Sequence, residues 1–195
     1  NGETDPPPRT EALALSFLGG AEQSFAPLYE RLAPALYAWA VLRAPRGVDP
    51  ADLLGEIWLH AVRSLHRYDA RRACFRAWIF GIAKKVLLRE LRDMDRSGTA
   101  SRGAEREGLD LERVPESVTS LSLRFAREES MALFLERISG LAREERELVV
   151  YCGLEGSSCR EAATRMGLSE EATLKRWQRL RAELRESSWA AELLE

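Results

Sequence analysis

No uninterrupted apolar stretch in this sequence is long enough to span a bilayer, so no membrane span is expected. The opening NGETDPPPRT lacks the basic-then-apolar layout of a secretory leader and reads as a disordered start. Cysteine is scarce. Cys74, Cys152 and Cys159 are odd in number and form no close pair, which argues against a disulfide framework and fits a reducing cytoplasm. Their default role is that of small buried apolar side chains. Two histidines, His60 and His66, are too few and too poorly placed for a metal site, and no cofactor is expected. Paired carboxylates in a credible cleft, a Ser/His/Asp set and a phosphate-binding glycine loop are all missing, so no catalytic residue is assigned.

An overall excess of positive charge is missing too. The 195 residues carry a formal charge of -2, with a pI near 5.9, which is not the signature of a globally basic nucleic-acid binder. The distribution matters more than the sum. Between His60 and Arg96 ten basic residues stand against four acidic ones, a local +6. Residues 1–59 hold four basic and eight acidic residues, a local −4. A chain polarised in this way can steer a charged partner to one surface.

The basic segment contains the stretch around which the rest is organised, Phe75 to Arg96. Phe75, Trp78, Ile79, Ile82, Ala83, Val86, Leu87 and Leu91 follow helical spacing and want a core. Lys85, Arg89, Arg92 and Arg96 recur at four, three and four and form a basic stripe. Such a stripe serves equally as a solvated face, a phosphate-facing surface, or a membrane or partner contact.

Ahead of it, Ala12 to Leu18 reads as a short helix ended by Gly19 and Gly20. Glu22 to Val41 is a second, with Phe25, Leu28, Tyr29, Leu32, Leu36, Tyr37 and Ala40 near one face. Pro27 fits a first turn, whereas Pro34 predicts a kink or a split. Asp49 and Pro50 form a helix start, followed by Leu54, Ile57, Trp58, Ala61 and Leu65 on one side. Residues 97–122 are poor in aromatics and rich in Ser, Gly and charge, and read as a flexible linker.

Order is expected again from Leu123, with Phe125, Met131, Leu135 and Ile138 on one helix and Leu141, Leu148, Val149 and Cys152 on the next. Ser158 and Glu161 have capping-box spacing, Gly167 suits a tight turn, and Ser169 precedes Glu170 and Glu171 at a second helix start. That helix would bury Thr173, Trp177, Leu180 and Leu184 and point Lys175, Arg176, Gln178 and Arg179 outward. Short helix, glycine turn and longer helix make a helix-turn-helix layout, although a plain αα-hairpin shares it.

Taken together, the two blocks resemble a bacterial sigma-70-family factor of the extracytoplasmic-function type, in which regions 2 and 4 are joined without a region 3 domain. FRAWIFGIAKKVLLRELR is similar to regions 2.3 and 2.4, DPADLLGEIWLHAVRSLHRYD to regions 2.1 and 2.2, and the segment from Leu141 to Arg185 to region 4. The resemblance implies an all-α protein: a disordered N-terminus (1–12), a region 2 helical bundle (13–96), the linker (97–122), a region 4 helix-turn-helix domain (123–186) and a tail (187–195). It implies core RNA polymerase, promoter DNA and a regulatory partner such as an anti-sigma factor. Asp52 and Glu56 would face the polymerase. Arg67, Arg71, Arg72, Arg76, Lys84, Lys85, Arg89 and Arg92 would meet the −10 element, and Lys175, Arg176, Gln178 and Arg179 the −35 element. Gly55, Lys85, Glu90 and Leu174 depart from the residues most common in the family at those places. A sigma-like adaptor that binds an anti-sigma factor without initiating, and a plain helix-turn-helix regulator of duplex DNA, share many of these features.

Overall fold

A computed structural model describes residues 10–97 and 129–185. The expected N-terminal segment up to residue 9, nearly all of the expected linker, Leu123, Phe125 and the expected tail lie outside the described residues. Every regular element among the described residues is helical. In chain order these are α1 (Thr10–Leu18), α2 (Phe25–Arg43), α3 (Pro50–Ser64), α4 (Phe75–Ser97), α5 (Glu129–Ser139), α6 (Arg143–Leu148), α7 (Cys159–Met166) and α8 (Glu170–Arg185). Short 3₁₀ turns precede α2 and follow α3, and α6 runs directly into a π-helical turn, Val149–Leu154.

The first four helices form a bundle with α2 at its centre. Eleven of the nineteen α2 residues are buried, among them Leu28, Tyr29, Leu36 and Trp39. Of the kink or split expected at Pro34, the split does not occur: a helix covered on most sides is held by its neighbours despite one missing backbone bond. α1 starts at Thr10, inside the segment expected to be disordered, because Leu13 and Ala14 dock into the same bundle. α3 begins where Asp49 Oδ1 accepts the Ala51 N–H at 2.8 Å, with Pro50 in the first turn.

The aromatic core of the bundle sits between α2 and α3. Trp58 lies 4.9 Å from Tyr29 and 5.6 Å from Phe25, centroid to centroid, the latter edge-on. Trp39 and Trp58 are the fully buried tryptophans here. Trp78, expected as a core anchor, is only half-buried and leans on Tyr68 and Phe75 at the joint before α4.

The C-terminal helices form a second group. Thr173, Trp177, Leu180 and Leu184 are all buried, so the four-three-four spacing read along α8 marks its inner face. Two helical domains tied by a flexible linker were expected; nearly all of that linker lies outside the described residues, and both helical groups contribute to one continuous apolar core. α2 bridges the groups by packing against α5 and the π turn.

Truncating a buried indole removes a large apolar volume. Trp58→Ala should cost about 3–5 kcal/mol of unfolding free energy. Trp78→Ala, starting from a half-exposed ring, should cost clearly less. Urea denaturation of both variants checks the order; equal losses would contradict it.

Candidate nucleic-acid interface

α3 and α4 lie side by side and leave a cleft of about 460 Å³ between the end of α3 and the middle of α4. His60, Arg63, His66 and Arg67 line one wall, and Ile82, Lys85, Val86 and Arg89 the other. Val86 is buried and supplies an apolar floor; Lys85 and Arg89 are exposed beside it. Such a cleft offers cations to a phosphate chain and an apolar surface to an unstacked base. The basic stripe of α4 therefore meets a second basic row from α3. His60 and Arg63 were not singled out from the sequence, although their spacing of three, with Arg67 four further on, was a legible signal.

The loop before α4 leaves Arg71 and Arg72 exposed. Asp69 organises it: Oδ1 accepts the Arg71 N–H at 3.0 Å and the Arg71 Nε–H at 3.1 Å. These hydrogen bonds hold the Asp69 carboxyl below the usual aspartate range. Arg92 is exposed further along α4. Asp52 is exposed and Glu56 half-buried on α3.

Arg76 and Lys84 are not part of this cleft. With Phe80 between them at spacing four, they line a different face of α4, turned toward the C-terminal group. The Arg76 guanidinium donates to the carbonyls of Leu154 and Gly153, both at 2.9 Å, which places a cation on the C-terminal end of the π turn. Burial pushes its pKa below the usual arginine value. Lys84 Nζ lies 2.5 Å from a Glu155 carboxylate whose side chain is 3% exposed. The same carboxylate takes Arg165 at 2.9 Å and, through its other oxygen, the Trp39 indole N–H at 3.0 Å. Arg43 on α2 adds a two-pronged pair to Glu147, at 2.7 and 3.2 Å. Arg43 and Arg165 also stand over the Tyr151 ring, 5.3 and 5.1 Å from its centre.

The π turn sets this up. The Glu155 N–H bonds the Val150 carbonyl, five residues back, at 2.9 Å. One extra residue in a helical turn rotates the downstream side chains by about 100°. Gly156, at φ +67°, then reverses the chain beside the Arg76 side chain.

α7 and α8 have the helix–turn–helix form read from the sequence. Ser158 Oγ accepts the Glu161 N–H at 3.2 Å while the Glu161 carboxylate accepts the Ser158 N–H at 2.9 Å. Gly167 adopts the left-handed conformation at φ +67°. Ser169 Oγ accepts the Ala172 N–H at 3.2 Å. Lys175, Arg176, Gln178 and Arg179 are all exposed. Acidic neighbours attend three of them: Glu171 lies 2.7 Å from Lys175, Glu144 pairs with Arg176, and Glu145 stands 3.7 Å from Arg179.

Residues 28–97, which cover α2 to α4, match the family Sigma-70 region 2. That match spans about a third of the chain. A solved structure of CnrH in complex with the cytosolic domain of CnrY is 26% identical; the match covers 89% of this chain and 94% of that one, with a TM-score of 0.46. No curated protein matches the chain. Among the described residues no helix is long and apolar enough to cross a membrane, and no group of three metal-ligating side chains gathers.

This geometry yields two tests. A Cβ at position 167 would meet nothing within 4 Å, so Gly167→Ala isolates the cost of the left-handed backbone. It should destabilise the protein by about 1–2 kcal/mol in chemical denaturation, and Gly167→Asn by less. The second concerns pH. Burial alone would raise the Glu147 pKa, but hydrogen bonds and charge from Arg43 outweigh it and hold the carboxyl below the ordinary glutamate value. The stability from this pair is therefore full above the ordinary glutamate range and lost as pH falls below it. Glu147→Gln should flatten that part of the stability–pH curve relative to wild type; superimposable profiles would refute the assignment.

Proposed function

We propose that this protein is a sigma-70-family factor of the extracytoplasmic-function type: it binds core RNA polymerase and directs it to promoters of a −35/−10 kind. The observation that carries the reading is the cationic cleft between α3 and α4, inside the matched region 2 domain. Arg67, Lys85 and Arg89 border it, and Arg71, Arg72 and Arg92 extend its charge. In this reading the cleft holds the −10 strand and captures bases exposed on melting, which offsets part of the cost of unstacking. Asp52 and Glu56 on α3 contact the polymerase.

α7, Gly167 and α8 then act as the −35 reader, with α8 in the major groove, which admits one helix. Lys175, Arg176, Gln178 and Arg179 supply backbone and base contacts. Phosphate contacts position such a protein, and base contacts specify the site. Glu171 and Glu144, the acidic partners of Lys175 and Arg176, are exposed, and exposed pairs are worth about 0–1 kcal/mol, so phosphate can replace them; Glu145, beside Arg179, is half-buried. An anti-sigma factor is the natural regulatory partner under this reading.

Reconstitution with core polymerase and a library of random −35/−10 promoters tests the proposal. Wild-type protein should yield discrete transcripts. Neutralising Arg176 and Arg179 should weaken closed-complex formation and reduce its salt slope by roughly one for each phosphate no longer neutralised. Neutralising Lys85, Arg89 and Arg92 should reduce permanganate reactivity of −10 thymines, with partial rescue on a pre-melted bubble. Charge reversal at Asp52 and Glu56 should weaken polymerase capture with an unchanged circular dichroism spectrum. Polymerase binding without initiation from any selected promoter would replace the sigma reading with that of an adaptor.

A further inference from the structure

We infer that the C-terminal helical group is a built-in inhibitor of the region 2 domain, held shut by Glu155. The inference rests on the proposed reading of α4 as a −10-contacting helix and concerns the regulation of that surface. Three observations carry it. First, Arg76 and Lys84, two cations of α4, are held by acceptors from the C-terminal group: two carbonyls at 2.9 Å and one carboxylate at 2.5 Å. These acceptors occupy the hydrogen-bonding positions that phosphate oxygens would take on the same cations. Second, Glu155 is buried only because the two groups meet. Its Trp39 and Lys84 partners come from α2 and α4, and its Arg165 partner from α7. Third, the contact includes charged pairs, Arg43 with Glu147 and Lys84 with Glu155, alongside its apolar packing.

The two groups also share an apolar core, so opening needs a competitor that both replaces the charged contacts and binds the separated state better. Buried charge is costly unless paired, so the carboxylate tolerates its site only while Lys84, Arg165 and Trp39 are in place. Partial separation would strand it, which makes the arrangement two-state: closed with Glu155 satisfied, or open with Glu155 in water. In the closed state Arg76 and Lys84 are withdrawn from DNA. In the open state they join the cleft cations on α4. A partner that prefers the open state shifts the population in proportion to its differential affinity for it.

Glu155→Gln and Glu147→Gln test this on the full-length chain, since neither residue belongs to the proposed DNA-contacting set. Small-angle scattering reports closure without DNA. Fluorescence anisotropy with a single-stranded −10 oligonucleotide reports access to α4. Thermal melts confirm that each variant folds; Glu147→Gln, at a less buried pair, serves if Glu155→Gln does not. The expected result is a larger radius of gyration and an oligonucleotide affinity at least about tenfold higher than wild type, equivalent to about 1.4 kcal/mol. An unchanged radius in folded variants would overturn the latch. A larger radius with unchanged affinity, including no binding by either protein, would overturn the inhibitory role. Transcription by the wild-type chain with core polymerase is scored separately, so failure of the latch and failure of the sigma reading remain distinguishable.

Discussion

The arrangement turns on one buried carboxylate. Glu155 sits where three segments meet, and it is tolerable there because an indole N–H, a lysine and an arginine all point at it. Remove the α2–α4 bundle and it loses two of those partners. The π turn that delivers it is equally particular. A regular α-helix through Val149–Leu154 would place the carboxylate about 100° elsewhere around the axis. Arg76 then binds the carbonyls that the turn leaves open. Geometry, charge and backbone satisfaction thus agree at a single point, and the relation of the two helical groups depends on it.

The parts of this molecule with uninterrupted periodicity were legible in the sequence. α8 is the clearest case: Thr173, Trp177, Leu180 and Leu184 repeat with the helix and are all buried. The caps at Ser158 and Ser169 and the glycine turn at Gly167 were legible because each needs a specific residue type for a local reason. Phe75, Ile79, Ala83 and Val86 likewise mark the buried side of α4. Phe80 was not read as core, since it lies on a different face, one that the bundle alone leaves open. It is buried with its ring 6.1 Å from Trp39, beside the contact with the C-terminal group.

The same reason explains what else stayed hidden. Arg76 and Lys84 look like the other cations of α4, and nothing local separates a cation facing DNA from one facing another part of the chain. Glu155 comes just after a π turn, and the extra residue breaks the 3.6-residue phase by which side chains are assigned to faces. Trp39 stayed hidden because α2 is enclosed on several sides, so its buried positions do not form one stripe, whereas Trp58 was legible on the apolar side of α3. The same enclosure keeps α2 unsplit at Pro34. Long-range packing settled each of these, and periodicity within one segment does not report it.

Burial also ranks the charged contacts by how readily they exchange. A chain of net charge -2 can still present cationic surfaces if its acids are engaged internally, and here several are. Glu144 and Glu171 attend Arg176 and Lys175 of α8 in exposed pairs, which exchange at little cost. The Arg43–Glu147 pair is about three-quarters covered and yields less easily. Glu155 is the most buried of these acids, and its release requires the two helical groups to part. Under the proposed function the order of exchange follows: the α8 surface engages DNA while the groups remain together, and Arg76 and Lys84 become available only after the best-buried acid has been exposed to water.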